Sequence, residues 1–215
     1  MKYLSLLFMF CFMTFCSFLR ADWITTSQDG LTVRLTDSLD TLNEEKKVYL
    51  RSFTESYSNN PTILNNLRNQ GKDLSTFLLS AFEDEEKDFR SKKANTIFLS
   101  AKTLDGKTIG YTSFDKGTDA IYIRQLSVDP DYWKKGVGTV LIFAIFNVWT
   151  HPTKLQLATR CANTRAISFY QKLGFTFSDH LHEGLDPKVY CGLDRLVSNE
   201  EVHEILGHYR KVSEK

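Results

Sequence analysis

Four prolines and four cysteines in 215 residues leave this chain little conformational or covalent scaffolding. So few cysteines exclude a disulfide-dense miniprotein, and none of their spacings suits a metal site. Cys11 and Cys16 fall inside an apolar run, which leaves Cys161 and Cys191 for the folded part. They read as two independent structural thiols, with pairing as the alternative in an exported protein. Charge of one sign is not in excess either: 27 Lys and Arg against 26 Asp and Glu give a net charge of +1. That removes the electrostatic case for nucleic acid, or an anionic membrane surface, as a main partner. Internal repeats and low-complexity segments are lacking. What is plentiful is apolar: a 42% hydrophobic share over this length supports one domain with a substantial core.

One long hydrophobic run exists, residues 3–19, between Lys2 and Arg20. A single basic residue followed by a long apolar stretch predicts a secretory signal over residues 1–21. Its cleavage site is poor, because Ala21 is small at −1 while −3 is Leu19. The run is also close to the length that spans a thin bilayer, so an uncleaved membrane anchor is the rival. Secretion, a periplasmic location or anchoring follow from these readings, and the cytoplasm stays open. Residues 22–197 read as one domain and 198–215 as an appended amphipathic helix, opened by the capping box Ser198 to Glu201. Val202, Ile205, Leu206 and Tyr209 share one face of it.

Between those ends the periodicity alternates. Residues 31–35 alternate as a strand, and 41–57 turn helical with Leu42, Tyr49 and Phe53 inward. Asn59-Asn60-Pro61 breaks that helix, and 65–71 reads as a loop or a short helical turn. Leu74, Phe77, Leu78, Ala81 and Phe82 fall on one helical face, ahead of an acidic end at 83–88 that reads as solvated. An acidic patch there attracts a cationic amine in the alternative reading. Two strands, 96–102 and 107–114, flank the hairpin turn Leu104-Asp105-Gly106. A third follows at 120–128. The helix 137–149 is apolar on nearly every side, which predicts deep burial or a second subunit as a homodimer partner. Further strands are expected at 155–159, 175–178 and 189–193, with a helix at 163–172 among them.

The chain is organised around residues 126–139, which read L-S-V-D-P-D-Y-W-K-K-G-V-G-T. A strand ends at Asp129-Pro130, and a basic stretch and two glycines lead into the apolar helix. Such a loop presents free backbone N–H groups and the positive end of a helix dipole to a phosphate. A second stretch, 163–175, reads N-T-R-A-I-S-F-Y-Q-K-L-G-F, a short helix stopped at Gly174. In this order and at this separation the two stretches resemble the acyl-CoA-binding core of the GNAT-type N-acyltransferases. The resemblance covers roughly 96–193. It implies an α/β (α+β) fold with a mixed, mostly antiparallel sheet flanked by helices and splayed between strands 4 and 5. It also implies acetyl-CoA as co-substrate and an amine as acceptor.

The resemblance carries roles onto particular residues. Freed backbone groups of Leu126 and Val128 would hold the pantetheine and polarise the thioester carbonyl. Lys134, Lys135, Gly136, Val137, Gly138 and Thr139 would take the pyrophosphate, and Asn163 would contact the cofactor beside its helix. Tyr170 matches the general acid that protonates the departing thiolate, a task suited to a phenol that stays neutral at working pH. Two departures stand out. Trp133 replaces the Gln or Arg that opens the family loop. Arg124 stands about where many members carry the glutamate that deprotonates the amine. A base would then come from Asp119, Glu183, His180 or His182, or through water, and an Arg124 aimed into the acceptor site would favour a carboxylate-bearing substrate. The expected activity is acetyl transfer from acetyl-CoA to a primary amine of a small molecule, peptide or protein. A non-catalytic acyl-CoA-binding module is the rival, and a membrane-anchored interaction protein the third reading.

Overall fold

The computed structural model describes residues 30–36, 38–91, 95–148 and 154–205. Residues 1–21, Trp149, Leu206 and Tyr209, on which parts of the sequence reading rest, lie outside these.

Strand β1 (Leu31–Leu35) buries Leu31 and Val33 and leaves Arg34 exposed, as its alternation requires. Helix α1 (Leu39–Tyr57) begins where Ser38 Oγ accepts the Thr41 N–H, and it turns Leu42, Tyr49 and Tyr57 inward. Helix α1 does stop before Asn59-Asn60-Pro61, but 65–71, expected as a loop or a short helical turn, falls largely in a longer helix. Asn60 caps this helix, α2 (Pro61–Asn69), with Pro61 in its first turn. Its polar composition hid two residues one turn apart, Ile63 and Leu67, which are both fully buried. Helix α3 (Leu74–Arg90) is capped by Asp73 and buries Leu78, Phe82 and Glu85.

Six strands and two helices follow. β2 (Thr96–Thr103) and β3 (Thr108–Lys116) close around Gly106, whose φ of 85° only glycine adopts without strain. β4 (Ala120–Val128) leads through a 3₁₀ turn, Pro130–Tyr132, into α4 (Val137–Val148). β5 (Lys154–Arg160), α5 (Thr164–Lys172), β6 (Thr176–Ser178) and β7 (Tyr190–Leu196) complete the series. The sheet order is β1-β2-β3-β4-β5-β7-β6, and every neighbouring pair is antiparallel except β4 with β5. The expected mixed, mostly antiparallel sheet is what forms.

Helices α4 and α5 cover one face of the sheet and α1, α2 and α3 the other. Strand β2 shows the division, sending Leu99 and Ala101 to the first core and Phe98 to the second. Helix α4 crosses β1 to β4 and buries seven of its twelve residues, which is why it is apolar on nearly every side. Beyond β7, Ser198 Oγ accepts the Glu201 N–H, Arg195 pairs with Glu201, and Val202 is buried in the first core.

Cys161 and Cys191 form a disulfide, which corrects the expectation of two independent thiols. The pairing comes from the sheet: β5 and β7 are antiparallel with Thr159 opposite Cys191, and the Cys161 N–H bonds Val189 O at 2.9 Å. The two Cα atoms are thereby brought to 5.1 Å, within bridging range. A separation of 30 residues gives no such hint in sequence.

Glu45 of α1 is fully buried and accepts from Thr36 Oγ1 and Ser100 Oγ, while its Oε2 has no partner. Burial raises its pKa from 4.5 to about 7, against the pull of those two hydroxyls and Lys102. A carboxyl whose folded pKa is raised favours the native state below its unfolded value and loses that contribution as pH rises through about 7. Glu45→Gln is therefore expected to stabilise the protein by about 3 kcal/mol at pH 8. The gain should fade between pH 7 and 4.5, as urea denaturation at several pH values would record.

Candidate active site

The parallel pairing of β4 with β5 is short. It runs from Ala120 opposite Lys154 to Ile123 opposite Leu157, and then the strands part. β4 stays with β3 as far as Val128, whereas β5 stays with β7 as far as Arg160. The splay expected between strands 4 and 5 opens at 124–128. A β-bulge marks the start, because Phe114 faces Ile123 and Ser113 faces Gln125, leaving Arg124 as the extra residue.

Backbone alternation fixes which groups face the gap. The Asp129 N–H bonds Ile109 O, and Thr112 Oγ1 donates to Gln125 O, so residues 125, 127 and 129 turn their peptide groups toward β3. Those of Leu126 and Val128 turn into the splay. Trp133 Nε1 donates to Val128 O at 2.8 Å, so this carbonyl is engaged while the Leu126 groups face the gap. In this way the substitution of Trp133 in the loop reaches the strand that would hold a pantetheine.

The loop beyond is held open by backbone conformation. Lys134 has φ 62° and Gly136 φ 79°, two left-handed residues on either side of Lys135, all three exposed. Alternation of this kind turns successive N–H groups into one concavity. Lys135 Nζ sits 5.0 Å and Lys107 Nζ 5.3 Å from the Tyr132 ring centroid, which gathers cations beside the loop. The N–H groups of Val137, Gly138 and Thr139 start α4 and have no intrahelical acceptor. Val137 contributes backbone only, because its side chain is buried in the core. Gly138 lacks a Cβ for packing: one built there would meet the Phe169 ring at 3.1 Å, so α5 lies directly against the first turn of α4. A buried Asp129 steadies the turn by accepting the Asp131 N–H and pairing with Arg51 of α1.

Asn163 caps α5, its side-chain oxygen accepting the Ala166 N–H at 3.3 Å. The helix ends in a Schellman motif: the Phe175 N–H bonds Tyr170 O, and the Gly174 N–H, at φ 84°, bonds Gln171 O. The accompanying apolar contact is Tyr170 against Phe175, with ring centroids 5.5 Å apart. Tyr170 is thus clamped at backbone and ring. Burial raises its pKa, reinforced by the nearby Tyr57 and Tyr122 hydroxyls, which keeps it a neutral O–H donor.

Two further expectations are corrected by the α3 face. Residues 83–88 are not a uniformly solvated acidic end, since Glu85 is buried and Asp88 half-buried. Both pair with Arg124, at 3.0 Å and 2.5 Å, and Asp115 lies 3.5 Å from it. Arg124 therefore does not present a free cation to an acceptor carboxylate. Burial opposes its charge, but Glu85, Asp88 and Asp115 outweigh that and raise its pKa. Of the substitute bases, Asp119, His180, His182 and Glu183 are exposed, with the His182 ring 4.9 Å from Tyr122.

Sequence reasoning missed Tyr57, Arg160 and Arg165. The Arg165 guanidinium lies 3.5 Å from the Trp133 ring centroid and donates to Ser56 of α1, bridging three elements at the mouth of the splay. An open groove of about 680 Å³ runs between α1 and the turn beside Trp133. Its lining includes none of Leu126, Val128, Asn163 or Tyr170. No local pattern announced these residues, because each is brought in by a distant segment.

A splayed parallel pair, an N–H-lined loop at a helix start and a clamped tyrosine define an α/β protein built to hold an acyl-CoA. The Acetyltransferase (GNAT) family model matches residues 63–175, just over half of the chain, and the protein belongs to that family. The [Ribosomal protein bS18]-alanine N-acetyltransferase of Escherichia coli K12 is 29% identical over 97 residues, covering 44% of this chain and 66% of that protein. The UPF0157 protein YqkA of Bacillus subtilis is 34% identical over 71 residues, or 33% of this chain and 21% of its own length. The chain thus spans less than two thirds of either relative. In structure it is similar to the PaiA N-acetyltransferase of Thermoplasma acidophilum, solved with coenzyme A, at a TM-score of 0.59. That match has 18% identity and covers 78% of this chain and 99% of the other. The fold is that of acyltransferases whose co-substrate is acetyl-CoA.

Removing Arg124 would strand the buried Glu85 carboxylate. Arg124→Ala is expected to destabilise by about 3–5 kcal/mol. Adding Glu85→Gln to it should restore a large part of that, which chemical denaturation of the single and double variants would measure.

Proposed function

We propose that this protein is an N-acetyltransferase that moves the acetyl group of acetyl-CoA to a primary amine of a small molecule, peptide or protein. The observation that carries the reading is the splay, which turns the Leu126 and Val128 peptide groups toward a gap leading to the loop at the start of α4. Acetyl-CoA would supply the activated acyl thioester. The backbone N–H groups at 136–139, with Lys134 and Lys135, would take its pyrophosphate. The Leu126 N–H is a preorganised donor for the thioester oxygen, worth on the order of 3 kcal/mol as charge develops there. Asn163 holds the start of α5 beside the cofactor path, and Tyr170 gives its proton to the departing sulfur. Its buried, neutral phenol supports that role.

The acceptor is an amine in its neutral form at the moment of attack. The bS18-alanine enzyme, by its name, acts on an alanine of a ribosomal protein, which makes a protein α-amine one member of the acceptor class. Export or anchoring through residues 1–21 belongs to the same proposal, and the Cys161–Cys191 disulfide favours an oxidising compartment. A non-catalytic acyl-CoA-binding module is the second reading, favoured by Arg124, with its three carboxylates, where family members carry a base.

The test is calorimetric titration of acetyl-CoA into the full chain, beside Tyr170→Phe, with thiol release followed on a panel of amines. Acetyl-CoA should bind both proteins within about twofold, while turnover falls about a hundredfold or more in the variant. Binding without turnover on any amine would select the binding module.

A further inference from the structure

Two arginines sit close to the splay, and their surroundings differ. Arg124 is surrounded by three carboxylates. Arg160, the last residue of β5, is 2% exposed and has no carboxylate in salt-bridge range among the described residues. Its guanidinium is instead enclosed by three rings, 4.8 Å from the centroid of Phe77, 5.1 Å from Tyr190 and 5.9 Å from Tyr57. Its Nη1 is buried with no hydrogen-bond partner. A guanidinium is always charged, and aromatic faces offset only a fraction of the loss of its hydration. Buried charges in native proteins are paired as a rule, and an orphaned donor on one leaves a position that a bound anion can fill.

The position says which anion. Arg160 lies on the arm of the splay that has left β4, three residues before Asn163. Its backbone carbonyl accepts the Asn163 N–H at 2.8 Å. The Tyr57 hydroxyl lies against both Arg160 and Asn163, and Tyr57 and Tyr170 sense each other electrostatically. Tyr57 is therefore a shared neighbour of the cation and of the phenol proposed to protonate the thiolate. The cation faces α1 and α3, whereas the loop for the pyrophosphate is at the start of α4, on the other side of the sheet. Phe77 and Tyr190 are half-buried, so two of the three rings around the guanidinium reach solvent, and side chains there change rotamer readily.

We propose that Arg160 receives a carboxylate of the acceptor, so that the amine acetylated here belongs to an amino acid or another amino-carboxylic compound. This rests on the acetyltransferase reading and names its substrate class. Arg160 is a specificity residue: it binds the acceptor at a distance from the reacting nitrogen, in an N–H to carboxylate geometry that an amide reproduces poorly.

The experiment titrates the CoA-saturated full chain with N-acetyl amino acids and, in parallel, with their N-acetyl amides. Wild type and Arg160→Met are compared, and the thermal midpoint of each is recorded without ligand. Acids are expected to bind about tenfold tighter than the matching amides to wild type. The ratio should fall to about one in Arg160→Met. That variant should also keep or raise its midpoint without ligand, since methionine replaces an uncompensated buried charge with an apolar chain. An unchanged acid-to-amide ratio in Arg160→Met, or no preference for acids in wild type, overturns the inference. So does a marked fall in the variant's midpoint, which would make Arg160 a structural cation. Chloride or sulfate protecting wild type as well as the acids do would assign the site to a free anion and overturn it likewise. Failure of CoA itself to bind is read from the first titration alone and overturns the acetyltransferase reading on which this one stands.

Discussion

The structure depends on how briefly β4 and β5 pair. Four residue pairs join them, and beyond Ile123 each strand keeps only its other neighbour. Peptide groups left at a strand edge inside a protein must find partners, so the parting at 124–128 is a standing demand for hydrogen bonds. The bulge at Arg124 turns β4 away, and β5 is held on its own side by its ladder to β7 and by the disulfide just past its end. Trp133 meets part of the demand through the Val128 carbonyl. The rest faces a gap flanked by the start of α4 and the cap of α5, where the proposed pantetheine would find its backbone partners.

Electrostatics around the gap separates two roles that composition alone makes identical. Arg124 and Arg160 are both arginines on adjacent strands, both removed from water to a large degree. With three carboxylates around it, Arg124 is a structural cation that neutralises α3 and makes Glu85 tolerable in the interior. With rings around it and no carboxylate in range among the described residues, Arg160 is set apart from Arg124. The protein thus differs from the many family members with a glutamate at the base position, where Arg124 stands paired with carboxylates.

The local devices were legible because each is set by residues a few positions apart. The turn at Leu104-Asp105-Gly106 and the stop at Gly174 require left-handed residues where glycines stand, and both have them. The loop at 134–139 and the all-apolar helix behind it carry their geometry in their own sequence. So does the tyrosine clamp, because the Schellman bonds run within six residues. Even the miss at α2 was local: Asn60 and Pro61 do break α1, and the same pair also caps and opens the next helix.

What the sequence by itself determined was most of the order of elements, the glycine loop ahead of α4 and the helix that carries Tyr170, while the mixed sheet came with the family resemblance. Capping, turn conformation and helical or strand period act over a few residues and leave their mark in composition. Only the tertiary structure decided that Cys161 meets Cys191, that Glu85 and Asp88 turn inward to Arg124, and that Arg160 is caged by Tyr57, Phe77 and Tyr190. The partners in those sets come from α1, α3 and β7, tens of residues away. Whether a charge is matched depends on which distant segments close over it, and no local period records that.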